Sequence, residues 1–362
     1  MKIKYLTSII LVVFLACGCP SSPEKASPEE AVTLKDALKG KFFIGTALNT
    51  DQIWDIDKDD VYIIQQHFDA IVPENCMKSI NVQPQEGVFT FKDADQFVAF
   101  GEQNGMWITG HCLIWHEMLP QWFCEDEKGD NVSAEVLKDR MKKHISTVVG
   151  RYKGRIKGWD VVNEAFHDDG SFRETKFYEI LGEEYLILAF QYAFEADPEA
   201  ELYYNDFNEW KPGKVEKVVR LINTLRERGL RIDAIGLQGH LSMNIPSIAE
   251  YEQTIQTYIH AGVNVMVTEL DMSILPSAGN PYTEGVPDEV SQAWTNRMLD
   301  LFKLFLKYQG KVTRVTLWGV SDGVSWLNDF PVPGRTNYPL LFDRNHQAKP
   351  VVEEIIKLAE SR

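Results

Sequence analysis

The sequence predicts a single-domain α/β fold, a (β/α)8 TIM barrel that spans residues 31–362. Eight short β-rich runs alternate with longer helical patterns, and no break in composition divides the chain. Successive runs begin roughly 25 to 50 residues apart, which leaves room for one strand, one helix and two loops in each unit. Eight such units close a barrel. The runs are Phe42–Gly45, Ala70–Pro73, Trp107–Gly110, Ile156–Val162, Glu201–Tyr204, Ala234–Leu237, Val263–Val267 and Val312–Leu317.

The segments between the runs carry helical periodicity. Glu183–Phe194 has apolar residues at three- and four-residue intervals, and Pro198 follows soon after, where proline forbids continuation of a helix. Val215–Arg228 is followed by Gly229, a common helix terminator. Pro350–Leu358 begins with proline, which suits a first helical turn, and would complete the eighth unit.

The first thirty residues indicate an export signal and an anchor. Two lysines precede the apolar run Ile9–Ala16, which is too short to span a membrane as a mature helix and is typical of a signal peptide. The residues before Cys17 resemble a bacterial lipobox, so residues 1–19 are predicted to be a lipoprotein-type signal peptide and lipobox, with Cys17 as the lipidated residue. Cys19 as the lipid site and an ordinary cleaved signal remain alternatives. Residues 20–30, rich in proline and serine, are predicted to form a flexible tether to the bacterial cell envelope.

Composition narrows the ligand class. The chain has 53 acidic and 37 basic residues, a formal net charge of −16, which argues against a nucleic-acid partner and favours a neutral ligand. Cys76, Cys112 and Cys124 are odd in number and lack the spacing of metal ligands. We therefore expect free thiols rather than a disulfide framework or a zinc site.

Polar or aromatic side chains follow every one of the eight runs. The carboxyl ends of the strands converge on one face of a (β/α)8 barrel, so these residues should meet around one cleft. Polar loops could explain some of them, but loops prefer Gly, Pro, Ser and Asp, whereas Glu, Gln, His, Asn and Trp dominate here. In chain order these residues are Asn49; Glu74 and Asn75; His111; Asn163 and Glu164; Asn205 and Asp206; Gln238 and His240; Glu269 and Asp271; and Trp318.

Two of these strand-end residues have the chemistry that breaks a glycosidic bond. That reaction needs one carboxylic acid to protonate the leaving oxygen and a second carboxylate on the opposite face of the sugar. Glu164 and Glu269 would face each other across the barrel mouth. If their carboxyl groups are about 5 to 5.5 Å apart, Glu269 is the nucleophile, Glu164 is the acid/base, and the anomeric configuration is retained.

Neighbouring residues assign these two roles. Asp271 can share His240 with Glu269 through hydrogen bonds, which would keep the nucleophile ionised and fixed in direction. Glu164 lies in a less polar stretch of sequence, which favours the protonated form that an acid needs. Asn163 is placed to hydrogen-bond a sugar 2-hydroxyl, a contact that strengthens in the transition state.

These motifs resemble those of glycoside hydrolase family 10, the xylanases. Trp159–Ala165 is similar to the acid/base motif of that family, and Val267–Asp271 is similar to its nucleophile motif. The similarity runs from about Phe43 to the C-terminus. Further segments agree in the same order: Glu74–Lys78, His111–His116, Tyr203–Asn208, Gly236–His240, Leu317–Asp322 and Pro339–Asp343.

The resemblance implies cleavage of β-1,4-xylan and its oligosaccharides without a cofactor or metal ion. We expect a monomer whose only membrane contact is the lipid anchor. Trp318 would stack beneath the sugar at the cleavage point, and Trp326 would close over it. The other implied substrate contacts are Glu74, Asn75 and Lys78 on the non-reducing side, and His111, Trp115, Asn163, Asn205, Gln238 and His240 near the cleaved bond.

Some alternatives stay open at this level. The family usually has Trp where this chain has Ser79, and commonly Tyr where it has Phe207, which puts the outlying subsites in doubt. His111 and the two tryptophans could be packing residues alone. The rival functions are a β-1,4-glucanase of the same barrel type and a glycan-binding lipoprotein that has lost activity.

Overall fold

The structure is a computed structural model that describes residues 32–276 and 278–362. The predicted signal peptide, the lipobox with Cys17 and the tether lie outside the described residues. Within them, the polypeptide forms the predicted (β/α)8 barrel. No helix in this part of the chain combines the length and the apolar character needed to cross a bilayer.

Eight parallel strands form a closed ring, and a short extra strand extends one of them. Neighbours pair in the order β6-β5-β4-β3-β2-β1-β9-β8, and β6 pairs with β8 to close the barrel. β7 adds to the end of β8, where His240 lies opposite Asp271. The strands are β1 Phe43–Leu48, β2 Ala70–Pro73, β3 Trp107–Ile114, β4 Gly158–Asn163, β5 Glu201–Asp206, β6 Ala234–Leu237, β7 His240–Ser242, β8 Asn264–Ser273 and β9 Val312–Leu317.

Helices surround the barrel and fill the connections between strands. The three helices predicted from periodicity are present, although their ends differ from the predicted ones by up to three residues. Three short 3₁₀ helices are Gln121–Phe123, Asp322–Val324 and Trp326–Asn328. The α-helices are α1 Leu34–Leu38, α2 Thr50–Ile53, α3 Lys58–His67, α4 Ser79–Val82, α5 Lys92–Gln103, α6 Ala134–Arg151, α7 Lys176–Leu181, α8 Glu184–Ala196, α9 Pro212–Glu227, α10 Ile248–His260, α11 Asp288–Lys307 and α12 Pro350–Glu360.

Local sequence sets where these helices begin. Asn49, directly after β1, caps α2: its side chain accepts a hydrogen bond from the Gln52 backbone N–H, and the Gln52 side chain accepts one in return from the Asn49 N–H. Ser247 and Glu250 form the same reciprocal box at α10. Both α9 and α12 begin with proline, which needs no hydrogen-bond partner for its nitrogen.

Two glycines make room for large buried rings beside the barrel strands. A Cβ on Gly110 of β3 would lie 2.2 Å from the Trp159 ring, and one on Gly158 of β4 would lie 2.0 Å from the Tyr203 hydroxyl. Both aromatic side chains are almost fully buried. They therefore pack against these strands only because the two positions have no side chain.

The three cysteines of the described chain are free thiols, as the sequence predicts. Cys112 and Cys124 are buried, and Cys76 is partly buried. Burial raises the pKa of the Cys76 thiol to about 12. These thiols are packed as small apolar groups and are poor nucleophiles.

Candidate active site

The predicted acid/base, Glu164, is the residue directly after β4 and has an unusual backbone conformation. Its φ is +58°, a left-handed value that is uncommon outside glycine. The next residue, Ala165, donates its N–H to the Tyr204 hydroxyl at 3.0 Å, and that hydroxyl donates to Asp206 at 2.5 Å. Lys214 in turn donates to Asp206 at 2.8 Å. This buried chain of contacts holds the backbone that aims the Glu164 side chain.

The Glu164 carboxyl accepts hydrogen bonds from three N–H donors. Trp115 Nε1 lies 3.0 Å from Oε2, and Gln238 Nε2 lies 2.9 Å from Oε1. Asn163 Nδ2 also reaches Oε1, at 3.3 Å. The less polar surroundings expected from the sequence are therefore found in the backbone neighbours of Glu164 and not around its carboxyl group. Donors from two other strand ends and from Asn163 of its own strand converge on that carboxyl group.

The predicted nucleophile, Glu269, is buried near the end of β8 between two donors. Asn205 Nδ2 donates to its Oε1 at 2.7 Å, and His240 Nε2 lies 3.2 Å from its Oε2. Burial alone would raise the pKa of Glu269. The hydrogen bond from His240 and the charge of its ring outweigh burial and lower this pKa below its usual value. The carboxylate is thus ionised at neutral pH, as an attacking group must be.

His240 connects Glu269 to a second buried carboxylate. Its Nδ1 lies 3.0 Å from Asp271 Oδ1, while Asp271 Oδ2 accepts a 2.7 Å hydrogen bond from Trp326 Nε1. Burial opposes protonation of the ring, but the two carboxylates outweigh it and raise the pKa of His240 well above 6.5. The imidazolium can then donate to Glu269 and Asp271 at once. The sharing of His240 predicted from the sequence is confirmed.

A continuous path of hydrogen bonds joins the two glutamates. Asn163 Oδ1 accepts from Asn205 Nδ2 at 2.9 Å and from Gln238 Nε2 at 3.2 Å. The same two amide groups donate to Glu269 and Glu164 respectively. The two carboxyl groups therefore lie in one polar cluster at the carboxyl ends of the strands and not in separate cavities.

Asn205, expected among the substrate contacts, is fully buried behind the nucleophile. Its Nδ2 is used by Asn163 and Glu269, and its Oδ1 accepts from Thr268 Oγ1 at 2.6 Å. Both N–H bonds of this amide have acceptors within the protein, and its oxygen has a donor there. These contacts hold the Asn205 amide against the Glu269 carboxyl group.

The three residues expected on the non-reducing side form a second polar group after β2. Lys78 Nζ donates to Asn75 Oδ1 at 3.0 Å, and Asn75 Nδ2 donates to Glu74 Oε1 at 3.2 Å. Lys78 also lies 4.9 Å from the centre of the Trp115 ring, whose N–H reaches Glu164. Burial raises the pKa of Glu74, although Lys78 opposes the shift. This group is therefore continuous with the acid/base side of the cluster.

Aromatic rings line the opposite side. Trp318 follows β9 and meets the His111 ring edge-on, with centroids 5.4 Å apart. Trp326 meets His240 at 5.0 Å and stacks on the exposed Phe330, also at 5.0 Å. Trp318 and Trp326 line a small depression together with Asn49, Gln52 and Glu74. Indole faces beside amide and carboxyl groups are suited to the apolar faces and hydroxyls of a pyranose.

His111 is held from below by a buried aspartate that the sequence analysis did not single out. Its Nδ1 lies 2.8 Å from Asp160 Oδ2, and both side chains are buried. Asp160 lies within β4, four residues before Glu164. A charged residue inside an apolar strand of a barrel is the signal that could have identified it.

The two departures from the family pattern have different surroundings. Ser79 is buried, and its Oγ lies 3.5 Å from Nε2 of the buried His144, so it points into the protein. Phe207 directly follows the Asn205–Asp206 strand end, and its ring lies 4.4 Å from Lys214 Nζ and 5.1 Å from the Arg173 guanidinium carbon. Phe207 therefore lies beside Lys214, the residue that donates to Asp206.

The fold and the site together define a class. The (β/α)8 barrel presents two glutamates in one cluster linked by amide side chains. Glu269 is held ionised, and Glu164 is surrounded by hydrogen-bond donors. This arrangement is that of a glycoside hydrolase.

Comparisons with known proteins give the particular family. The chain matches the model of glycosyl hydrolase family 10 over residues 33–358. It is 46% identical to endo-1,4-beta-xylanase A of Xylanibacter ruminicola over 355 residues, which cover 93% of this chain and 96% of that protein. It is 40% identical to endo-1,4-beta-xylanase B of Paenibacillus barcinonensis, over 90% of this chain and 98% of the relative.

Solved structures agree with this result. A GH10 endoxylanase retrieved from a sugarcane soil metagenome superimposes with a TM-score of 0.88 at 43% identity, over 90% of this chain and 99% of the other. A mutant enzyme in complex with xylotriose superimposes with a TM-score of 0.86 at 32% identity, over 90% of this chain and 99% of the other. The chain belongs to glycosyl hydrolase family 10, and the resemblance predicted from its motifs is confirmed.

Proposed function

We propose that this protein is a retaining endo-1,4-β-xylanase in which Glu269 is the nucleophile and Glu164 the acid/base. The observation that carries the proposal is the unequal support of the two carboxyl groups within one cluster. Glu269 is kept ionised by His240 and Asn205. Glu164 accepts hydrogen bonds from the neutral N–H groups of Trp115 and Gln238. The substrate class comes from the xylanases to which the chain is similar.

The reaction has two displacements. In the first, the Glu269 carboxylate forms a bond to the anomeric carbon as the glycosidic C–O bond breaks, and Glu164 gives its proton to the leaving oxygen. In the second, Glu164 takes a proton from water, whose oxygen attacks the anomeric carbon and displaces Glu269. The sugar leaves with its original configuration, and both carboxyl groups return to their starting states.

The remaining predicted residues would bind the substrate around this centre. Glu74, Asn75 and Lys78 would hold sugar hydroxyls on the non-reducing side, while Trp318 and Trp326 would contact the ring at the cleavage point. His111, Trp115, Gln238 and His240 would complete the polar contacts there. Asn163 would bind the 2-hydroxyl.

The test is hydrolysis of linear xylan by the purified protein, with the product anomer followed by NMR. We expect reducing ends from internal cuts, and a first-formed anomer of the β configuration. Glu269→Gln should abolish release and leave binding of xylo-oligosaccharides measurable. Glu164→Gln should lose far less activity on an aryl xyloside than on xylan, because a good leaving group needs no proton. Glu117→Gln, an exposed carboxylate on the same face, is the control.

Each alternative has a distinct outcome. Faster cleavage of cellulose or mixed-linkage glucan than of xylan would make the protein a glucanase. Binding of xylan without any cleavage would make it a glycan-binding protein. An α-anomeric first product would refute retention while leaving the xylanase assignment intact.

We also propose that the protein is lipid-anchored to the bacterial cell envelope through Cys17 and acts there as a monomer. The support is the short apolar run and the lipobox-like residues before Cys17. Expressed in a bacterial host, the full chain should enter the detergent phase on phase separation. Cys17→Ser should move it to the aqueous phase, whereas Cys19→Ser should not. Sedimentation of the detergent-solubilised protein tests the monomer.

A further inference from the structure

Three potential metal ligands converge away from the two catalytic glutamates, where α3 begins beside the loop that precedes α12. Asp57 caps α3, Asp60 lies in its first turn, and His346 comes from the loop. One ligand atom from each residue lies within 4.8 Å of the other two. The two segments are remote in sequence, so the first and last parts of the barrel meet at this point.

Asp60 provides an independent sign that a cation belongs here. Its side chain is fully buried. Oδ2 accepts a 2.7 Å hydrogen bond from Gln52 Nε2, whereas Oδ1 has no well-formed hydrogen bond within the described residues and lies 3.3 Å from His346 Nε2. A buried carboxylate oxygen without a donor is costly, and bound cations are one of the few ways to compensate it.

The spacing of the donor atoms suits a small transition-metal ion. Asp60 Oδ1 lies 3.3 Å from His346 Nε2. Two ligands bound to Zn²⁺ at about 2.0–2.1 Å and at a tetrahedral angle are separated by about 3.3 Å. The imidazole and carboxylate could therefore bind one ion almost without movement, and only Asp57 would have to approach.

The second ring nitrogen of His346 also faces a carboxylate. Nδ1 lies 4.0 Å from Oδ2 of the exposed Asp59. Histidines that bind metals commonly donate their other N–H to such a group, which fixes the tautomer and makes the metal-binding nitrogen more basic. Three carboxylates also surround this one histidine, so a divalent cation would relieve their mutual repulsion.

We propose that Asp57, Asp60 and His346 form a binding site for a divalent transition-metal ion of the zinc type, which ties α3 to the loop before α12. The donor set of two carboxylates and one imidazole leaves a fourth position for water. The site lies outside the proposed reaction, and its effect is on stability. Through Gln52 it is one hydrogen bond from the depression lined by Trp318 and Trp326.

The test is calorimetric titration of the metal-stripped purified protein with ZnCl₂, together with thermal unfolding with and without the metal. We expect one saturable site and a rise in Tm at saturation. His346→Gln should weaken binding roughly 10- to 100-fold and remove the rise in Tm. Asp60→Asn should have the same two effects. If Asp60→Asn does not fold, the test rests on His346→Gln, whose side chain is partly exposed.

The control is His167→Gln. His167 also pairs with a carboxylate, Glu174 at 3.0 Å, but with no buried third group, so its loss should leave zinc binding unchanged. The proposal is overturned if the wild-type protein shows no saturable zinc binding, if His346→Gln binds as tightly as wild type, or if CaCl₂ binds the site more tightly than ZnCl₂, since calcium has little use for an imidazole.

Discussion

Glu209 is a buried carboxyl group that should make the stability of the protein depend on pH. It follows the β5 strand end and is almost fully buried. Its Oε1 accepts hydrogen bonds from the Gly239 N–H and the Tyr251 hydroxyl, both at 3.1 Å, while Oε2 has no partner within the described residues. Burial raises the pKa of Glu209 from 4.5 to about 7.

The folded state therefore binds this proton more tightly than the unfolded chain does. Protonated Glu209 is tolerated in the core, so its favourable contribution is fully present below about pH 4.5 and is lost as the pH rises through about 7. One pKa unit corresponds to about 1.4 kcal/mol, so between pH 5 and pH 8 the folded protein should lose about 2 to 3 kcal/mol from this group alone.

Glu209→Gln removes the titration and keeps the shape of the side chain. The assay is urea unfolding of both proteins at pH 5 and at pH 8. The variant carries a constant penalty for its buried amide, but relative to wild type it should gain about 2 to 3 kcal/mol between the two pH values. Other buried acids, such as Asp322 with a pKa of about 6, are common to both proteins and cancel in the comparison.

Tyr251→Phe is the matched control. It removes one hydrogen bond to Glu209 but keeps the carboxyl group, and the lost bond is one that lowers the pKa. Its pH dependence should therefore be as large as in wild type or larger. If the difference between Glu209→Gln and wild type is the same at pH 5 and pH 8, the reasoning that burial drives this titration is wrong.

Three further substitutions test the contacts around the site. Tyr204→Phe leaves the Ala165 N–H without its acceptor, so kcat on xylan should fall about tenfold with little change in KM. A variant that is less stable but has the kcat of wild type would show that Tyr204 is purely structural. Asp271→Asn removes the nearest counter-charge of His240, so the pKa of His240 should fall and the loss of kcat should be largest above about pH 7. A loss of kcat that is the same at every pH would contradict this. Ser79→Trp should destabilise the protein by about 2 kcal/mol or more in urea unfolding, because the position is buried. Unchanged stability together with tighter binding of xylo-oligosaccharides would instead show that the introduced ring reaches the cleft.

The barrel was predictable because its signals are local and repeated. A central strand such as Ala70–Pro73 is buried on both faces, so it stands out as a short apolar run, and its predicted bounds match the structure. Other strands extend further than predicted. β8 runs from Asn264 to Ser273, although the apolar run stops at Val267, because Glu269 and Asp271 continue the ladder as catalytic-face residues.

The residues of the site were predictable for the same topological reason, since each follows a parallel strand and all eight strands end on one face. The roles of the residues that hold these site residues in place were not predictable. Asp160 lies within β4 and looks like an interruption of an apolar pattern, yet it is the buried partner of His111. Asp206 was expected at a strand end, but its contact with Tyr204, whose hydroxyl accepts from the Ala165 N–H, was not. Such roles depend on which side chain of the neighbouring strand lies opposite, and sequence spacing does not give this register.

The turn that positions Gln238 and His240 is a second feature that sequence spacing could not predict. These residues contact Glu164 and Glu269, and the residue between them, Gly239, has a φ of +76° and donates its N–H to Glu209. Glycine suits this left-handed backbone, and a Cβ there would also make a tight contact, 3.0 Å, with Val267 Cγ1. One buried carboxyl from the preceding strand end thus fixes the turn that serves both reacting groups. Chemistry-bearing residues can be recognised by type and position, whereas the groups that aim them become visible only when the ring of strands is closed.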